Sequence, residues 1–211
     1  MRIGCFGGSF DPVHLGHLVL AESCREALRL DVVRFIVAGV PPHKASRTLA
    51  GAPDRLAMVR LAIAGHPAFL ADDREIRRES VSWTIDTIRE LRAEHPGDEL
   101  FWLIGADTLP ELPSWREASA LLDLVTIATA SRPGSDPEAA LQALLGPFGP
   151  ARVRRLRDHL VPMPLVGISS TAVRSRAVSG RSLRYLVPQA VARHIEASGL
   201  YRTPPADGAR C

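Results

Sequence analysis

The sequence predicts an α/β protein: a doubly wound parallel sheet with helices on both faces, followed by a small C-terminal helical subdomain. Two observations support this prediction. Short apolar runs typical of buried strands alternate with segments of helical periodicity, and the loops between them are short. Strand, helix and strand repeated in this way require parallel pairing through right-handed crossovers. The 211 residues accommodate one such domain with a small addition.

Each element follows from its local pattern. A glycine- and proline-bearing turn is predicted over Gly7–Leu15, and the adjacent prolines at positions 41 and 42 force an extended loop. The predicted strands are Arg2–Phe6, Val32–Ala38, Phe69–Ala71, Glu99–Gly105 and Leu124–Ala130. The predicted helices are Gly16–Leu30, Asp54–Ala64, Thr84–Glu94, Pro137–Leu145, Ser170–Val178 and Pro188–Ser198.

The domain boundaries follow from a change of pattern after residue 161. We expect residues 1–161 to form the sheet-based core and residues 162–202 to form the helical subdomain. Residues 203–211 carry little apolar content and are expected to be a disordered tail.

Composition limits the class of protein. With 26 Lys+Arg against 23 Asp+Glu, the net charge of +3 does not favour a nucleic-acid partner. The dense basic run Arg152–Arg157 is interpreted as a solvated strand or loop edge. Three cysteines without a C-x-x-C pair favour a reducing compartment, and neither a leader segment nor an 18-residue apolar window is found. We therefore expect a cytoplasmic protein with no membrane segment. The sequence does not determine the oligomeric state, and a homo-oligomer is one of the alternatives.

The segment after the first strand has the chemistry of a polyphosphate site. Gly7 and Gly8 allow backbone N–H groups to approach a ligand, and the following helix directs its positive N-terminus to the same point. His14 and His17 are spaced to face one ligand together, and Ser9 offers a hydroxyl. Paired histidines also suit zinc, but no third ligand is evident nearby. The P-loop and G-x-G-x-x-G fingerprints are both absent.

A family resemblance joins these residues to later motifs. His14–His17 forms H-x-G-H, which follows Gly-Gly-Ser-Phe-Asp-Pro and resembles the Rossmann-like nucleotidyltransferase superfamily of adenylyl- and cytidylyltransferases. Further motifs narrow the resemblance to the bacterial nicotinate-nucleotide adenylyltransferase family, over Arg2 to about Tyr201. In chain order they are Pro41–Lys44, Asp54–Arg60, Ser82–Thr87, Gly105–Asp107, Leu112–Trp115, Ser131–Gly134 and Ile168–Arg174.

The resemblance implies a reaction between two small molecules. The adenylyl group of ATP passes to nicotinate mononucleotide by direct in-line displacement, giving deamido-NAD and pyrophosphate without a covalent intermediate. Mg²⁺ is expected to accompany ATP, held by phosphates and water with no protein side chain as ligand. Three alternatives stay open at this point: an enzyme for nicotinamide mononucleotide, one for phosphopantetheine, and a nucleotide-binding regulator without turnover.

The resemblance also assigns roles residue by residue. The residues implied in catalysis are His14, His17 and Lys44, the single lysine of the chain. ATP binding is implied for Gly7, Gly8, Ser9, Phe10, Gly16, Gly105, Asp107, Ile168, Ser169, Ser170 and Arg174, so the helical subdomain completes the ATP site. Nicotinate mononucleotide binding is implied for Ser9, Lys44, Trp83, Thr84, Trp115 and Arg132. Helix capping is the structural alternative for Asp107 and the Ser169–Ser170 pair, and a surface position is the alternative for Arg132.

Overall fold

One parallel sheet forms the centre of the molecule. The computed structural model describes residues 1–41, 50–78, 80–132, 134 and 136–202. Within these ranges the sheet has six strands in the order β3-β2-β1-β4-β5-β6, and every neighbouring pair is parallel. The strands are β1 (Arg2–Gly8), β2 (Val32–Val37), β3 (Phe69–Asp72), β4 (Glu99–Gly105), β5 (Thr126–Ser131) and β6 (Leu160–Pro162). The predicted doubly wound sheet is confirmed.

Helices cover both faces of this sheet. They are α1 (Leu15–Ala27), α2 (Ala52–Ile63), α3 (Arg74–Arg77), α4 (Thr84–Glu94), α5 (Ala118–Leu124), α6 (Pro137–Asp158), α7 (Ser170–Val178) and α8 (Gln189–Ala197). A 3₁₀ helix over Ala106–Ser114 follows β4. Among the described residues, no helix is both long enough and apolar enough to cross a bilayer.

The alternation of side chains along each strand divides the core into two clusters. In β4, Phe101 and Leu103 face one cluster, whereas Trp102 and Ile104 face the other. Helices α1, α2, α7 and α8 pack on the first face, and α4, α5, α6 and the 3₁₀ helix pack on the second. The C-terminal helices therefore bury their apolar residues in the same cluster as α1.

Three sequence predictions are wrong in detail. Gly7 and Gly8 belong to the end of β1 rather than to a turn. Leu124 ends α5 and does not begin a strand. The prediction fails here because a short apolar run is compatible with either a helix or a strand. Helix α6 continues past Leu145 to Asp158, since Gly149 (φ 76°) takes up a kink beside two prolines and the helix then resumes.

The basic run Arg152–Arg157 lies on α6, so its interpretation as a strand or loop edge is also wrong. Arg152 pairs with Asp123 at 2.7 Å, and Arg157 pairs with Glu138. The Arg157–Glu138 contact joins the two halves of α6 across the kink at Gly149, and the Arg152–Asp123 contact joins α6 to α5. The run is a set of partly exposed ion pairs on a helix, which contribute modestly to stability.

Candidate active site

A cavity of about 250 Å³ opens where the strand order reverses. Its floor is formed by the carboxyl ends of the two central strands, with Gly7 and Gly8 of β1 and Gly105 of β4. In open α/β sheets, ligands bind at this switch point between strands that lead to opposite sides. The position of the cavity follows from the topology, and three glycines of the predicted ATP site line it.

Four residues predicted to bind the mononucleotide line the same cavity: Ser9, Trp83, Thr84 and Trp115. Trp83 precedes the first residue of α4, Thr84, and Trp115 directly follows the 3₁₀ helix on the other side. Arg116 lines the cavity as well and holds its guanidinium 5.6 Å from the Trp83 ring centre. The arrangement offers a flat aromatic wall, a helix N-terminus and a guanidinium in one concave space. A planar ring bearing a carboxylate fits that chemistry.

Gly7 is required by the packing of Trp102. A methyl group on Gly7 would lie 2.4 Å from Cζ2 of that indole, which is 3% exposed. Trp102 belongs to the core cluster on its face of the sheet, and one part of its ring lines the cavity. Gly8 is crowded in the same way by the buried Phe10 ring, at 3.1 Å.

The two histidines of H-x-G-H stack against each other at the start of α1. Their ring centres are 3.7 Å apart with an interplanar angle of 25°. The backbone N–H of His14 donates to Nδ1 of His17 at 3.1 Å. A ring nitrogen that accepts a hydrogen bond carries no proton, so the neutral His17 ring holds its proton on Nε2. The backbone thereby fixes this imidazole as an Nε2–H donor.

His14 is held neutral by its surroundings. Burial, together with the positive charge of Arg132, lowers the pKa of His14 to about 4. Among the described residues its Nδ1 is buried without a hydrogen-bond partner, and a methyl group on Gly16 would lie 3.0 Å from that atom. The glycine therefore leaves space for the stacked ring pair.

The predicted ATP-binding serines and arginine of α7 contact the loop after β1. Ser169 caps α7 by accepting from the N–H of Ala172 at 3.1 Å, so the capping alternative holds for that residue. Ser170 Oγ donates to the Pro12 carbonyl at 2.9 Å, and Arg174 Nη1 donates to the Asp11 carbonyl at 2.6 Å. The structure thus brings α7 against the segment that carries the histidines.

The remaining predicted residues are more scattered. The Ile168 carbonyl lies 3.6 Å from where a methyl group on Gly16 would stand. Asp107 directs its carboxylate back at Gly105, where an added methyl group would be 2.4 Å from Oδ1. Arg132 follows β5, and neither it nor Asp107 lines the cavity.

Two predicted residues lie between the end of β1 and the histidines. Ser9 lines the cavity. Phe10 is buried, has a left-handed backbone (φ 45°), and sets its ring edge-on to the His17 ring. Lys44 lies outside the described residues.

Arg55 is a structural centre that residue-by-residue reading did not single out. Its guanidinium is almost fully buried and donates to four backbone carbonyls: Ser9 after β1, Ala38 and Gly39 after β2, and Ala50. Burial lowers the pKa of Arg55 from its ordinary value. The only sequence signal was the motif that begins at Asp54, because nothing local marks an arginine as buried. Arg55 fixes the strand ends that frame the cavity.

Asp11 is a second centre, joining distant parts of the chain. Its Oδ1 accepts from the Tyr201 hydroxyl at 2.6 Å and from the Ala50 N–H at 3.1 Å. The guanidinium of Arg174 lies 3.6 Å from Oδ2. The last helical region is therefore fastened to the loop that follows β1.

A protein-bound metal is tested by the donors present. Among residues 1–41, 50–78, 80–132, 134 and 136–202, no three His, Cys, Asp or Glu side chains cluster as ligands. A divalent ion that arrives with nucleotide phosphates fits such a donor set, because Mg²⁺ retains phosphate and water ligands readily.

Comparisons with known proteins identify the class. Residues 5–176 match the family described as cytidylyltransferase-like. A protein of Geobacillus thermodenitrificans named "Probable nicotinate-nucleotide adenylyltransferase" is 41% identical over 208 residues, 98% of this chain and 89% of that protein. A protein of Thermus thermophilus with the same name is 44% identical over 96% of this chain and 100% of its own length.

A solved structure shows the same fold. Plasmodium falciparum nicotinic acid mononucleotide adenylyltransferase, complexed with NaAD, aligns with a TM-score of 0.76 at 16% identity, over 95% of this chain and 97% of that one. The chain belongs to the cytidylyltransferase-like family of nucleotidyltransferases. Its relatives at 41–44% identity over nearly the whole chain define the branch to which it belongs, the nicotinate-nucleotide adenylyltransferases.

Proposed function

We propose that this chain transfers the adenylyl group of ATP to nicotinate mononucleotide, forming nicotinate adenine dinucleotide and pyrophosphate in NAD biosynthesis. One observation carries the proposal beyond family membership: the aromatic cavity that fits a pyridine carboxylate adjoins the paired histidines. Phe6 lines that cavity, and its ring centre is 6.0 Å from the ring centre of His17. The two halves of the reaction therefore have adjacent binding places.

The mononucleotide would occupy the cavity. Stacking on Trp115 and Trp83 holds the pyridine ring, and the carboxylate meets the backbone N–H groups at the start of α4, beside Thr84. A full negative charge gains more from a helix N-terminus than a neutral carboxamide does. This difference is a physical reason for preferring nicotinate over nicotinamide. Arg132 would bind the mononucleotide phosphate, beyond the cavity.

The triphosphate would lie over the turn from β1 to α1. Backbone N–H groups near Gly8 and Ser9 approach the phosphates, and His17 donates through Nε2 to the α-phosphate while its charge builds. Lys44 would neutralise the β- and γ-phosphates, the neutral His14 ring would lie beside His17 on the triphosphate, and Arg174 adds a positive charge from α7. Asp107 would accept from the ribose hydroxyls.

The chemistry needs positioning more than proton transfer. The attacking phosphate and the leaving pyrophosphate are both anionic near neutral pH, so no general base is required. The rate enhancement comes from alignment for in-line attack and from donors aimed at the transition-state charge. Mg²⁺ bound to the ATP phosphates would supply further neutralisation of that charge. Because ATP is a substrate, we place the enzyme in the cytoplasm.

The test is pyrophosphate release with ATP and Mg²⁺ plus one second substrate at a time. Nicotinate mononucleotide should give the highest kcat/KM, with nicotinamide mononucleotide and phosphopantetheine well below it. Equal or greater kcat/KM with nicotinamide mononucleotide would overturn the substrate assignment. Release with none of the three would favour a nucleotide-binding regulator.

A further inference from the structure

A buried carboxylate lies beside the mononucleotide cavity, and the proposed mechanism does not use it. Glu75, in the short helix α3, is 4% exposed and lines the cavity. A carboxylate is an unexpected group next to a place suited to a negatively charged ring. Its hydrogen bonds show that it faces the protein, where two hydroxyl groups donate to it.

The hydrogen bonds of Glu75 bracket the start of α4. The Thr87 hydroxyl donates to Oε1 of Glu75 at 2.5 Å, and the Ser82 hydroxyl donates to the same carboxylate. Trp83 and Thr84, which line the cavity, lie between these two donors in the chain. The carboxylate therefore fixes the first turn of α4 at both of its ends.

An ionised carboxylate only accepts hydrogen bonds, so both hydroxyls of this network must donate their protons to Glu75. The Gly39 N–H donates to Ser82 Oγ at 2.9 Å, which leaves the Ser82 proton for Glu75. On the other side, Arg78 Nη2 donates to Thr87 Oγ1 at 3.1 Å, which leaves the Thr87 proton for the same carboxylate. Both hydroxyls are thus oriented by a single acceptor. Burial raises the pKa of Glu75, while the hydroxyls and Arg78 favour its charged form.

The same network connects α4 to the strand ends of the site. The Ser82 N–H donates to the Val40 carbonyl at 2.9 Å, and a methyl group on Gly39 would lie 2.4 Å from the Glu75 carbonyl. Gly39 is also one of the residues whose carbonyl accepts from Arg55. The start of α4 is therefore held in register with the segment after β2.

From this geometry we propose that Glu75 is a positioning residue for nicotinate recognition: it holds Trp83, Thr84 and the N-terminal amides of α4 where the pyridine carboxylate binds. The inference rests on the proposed function. It also predicts whether neutralising Glu75 strengthens or weakens the binding of nicotinate mononucleotide. If Glu75 acted on the substrate only through its charge, neutralising it would tighten nicotinate mononucleotide binding. Positioning predicts weaker binding instead, because glutamine replaces one of the two carboxylate oxygens with an NH₂ group, which donates and cannot accept from a hydroxyl.

The experiment compares Glu75→Gln and Glu75→Asp with wild type at about pH 8, well above the ordinary pKa of a glutamate carboxyl. We expect KM for nicotinate mononucleotide to rise about tenfold in both variants, as for about 1.4 kcal/mol of lost binding. KM for ATP should stay within about twofold, and the preference for nicotinate over nicotinamide mononucleotide should fall. A purely structural role would lower the free energy of unfolding without changing that preference.

A matched control tests the far end of the same helix. Glu94→Gln removes an ion pair between α4 and Arg74 (3.0 Å) and should leave both KM values unchanged. Ser82→Ala removes one of the two hydroxyl donors to Glu75, together with the acceptor of the Gly39 N–H. It should raise KM for nicotinate mononucleotide by about threefold, the cost expected for weakening one hydrogen bond, even if the Glu75 variants fail to fold. Unchanged KM for nicotinate mononucleotide in Ser82→Ala and in the folded Glu75 variants would overturn the inference. Inactive wild type would instead refute the proposed function itself.

Discussion

Gly7→Ala tests whether the cavity depends on close packing at the end of β1. The added methyl carbon would stand 2.4 Å from Cζ2 and 2.6 Å from Cη2 of Trp102. Carbon atoms pack best at about 3.5–4.0 Å, so the indole must shift by about 1 Å or the strand must move. The indole belongs to the core cluster on that face, and its open side is the cavity. The shift therefore reduces the space in which the mononucleotide would bind.

The expected magnitude follows from overpacking of a filled core, about 1–3 kcal/mol in the free energy of unfolding. For a chain of this length, that corresponds to a lowering of Tm by about 2–12 °C. KM for nicotinate mononucleotide should rise by about tenfold or more, equivalent to about 1.4 kcal/mol, with a smaller change in KM for ATP.

The assay combines urea denaturation with steady-state pyrophosphate release, and Gly146→Ala is the matched control. Gly146 lies within α6, and a methyl group there meets nothing within 4 Å. Alanine should stabilise that helix by about 0.5–1 kcal/mol without affecting turnover. Wild-type stability together with wild-type KM in Gly7→Ala would refute the packing argument, because the ring would then have room that the structure denies it.

Four further predictions concern single side chains. His17→Ala should lower kcat about 10²–10³-fold by removing a transition-state donor, and nearly unchanged turnover would contradict that role. Tyr201→Phe should lower the free energy of unfolding by about 1–3 kcal/mol in urea titrations, since a buried oxygen of Asp11 loses its hydroxyl donor; equal stability would mean that this contact is dispensable. Lys44→Arg should lower kcat/KM for ATP on the order of tenfold, because a bulky guanidinium replaces a compact ammonium group, and full activity would contradict a phosphate contact. The pKa of His14 is lowered from an ordinary 6.5 to about 4 in the folded protein. As pH falls from about 6.5 towards 4, His14 therefore binds a proton in the unfolded chain before it does so in the folded one, and the free energy of unfolding decreases. Between about pH 8 and pH 5, His14→Asn should therefore lose about 2 kcal/mol less stability than wild type in urea titrations at each pH, and parallel losses would contradict the shift.

Local patterns predict the strands that form the floor of the site, but not α3 or the 3₁₀ helix that precedes Trp115. The strands from β1 to β5 are each predicted, although β5 begins at Thr126 rather than Leu124, and the H-x-G-H segment follows the first strand and begins α1, as expected. This succeeded because buried parallel strands are apolar on both faces and are bounded by turn residues, which a sequence displays directly. The short strand β6, with proline at its end, gives no such signal.

Long-range polar contacts could not be read in the same way. Arg55 donates to carbonyls from three separate segments, and Glu75 accepts from a hydroxyl 12 residues away. Arginine and glutamate are usually exposed, so sequence position alone favours the surface for both. Their burial is decided by which strand ends the completed sheet brings together. The sequence motifs that contain them indicated a family, but not which atoms they bind.

The polar groups described around the cavity are kept neutral or are hydrogen-bonded to other protein groups, so few of them face the reactants as unpaired charges. His14 is neutral, and the backbone bond to His17 Nδ1 leaves a neutral ring with an Nε2–H donor. The Glu75 carboxylate accepts hydrogen bonds from two hydroxyls, and the Arg55 guanidinium donates to four backbone carbonyls. Under the proposed function, two anionic substrates would therefore meet fixed dipoles, whose orientation costs no reorganisation when charge moves to the leaving group. The fold would support this chemistry because its buried ion and hydroxyl networks hold those dipoles in place before either substrate binds.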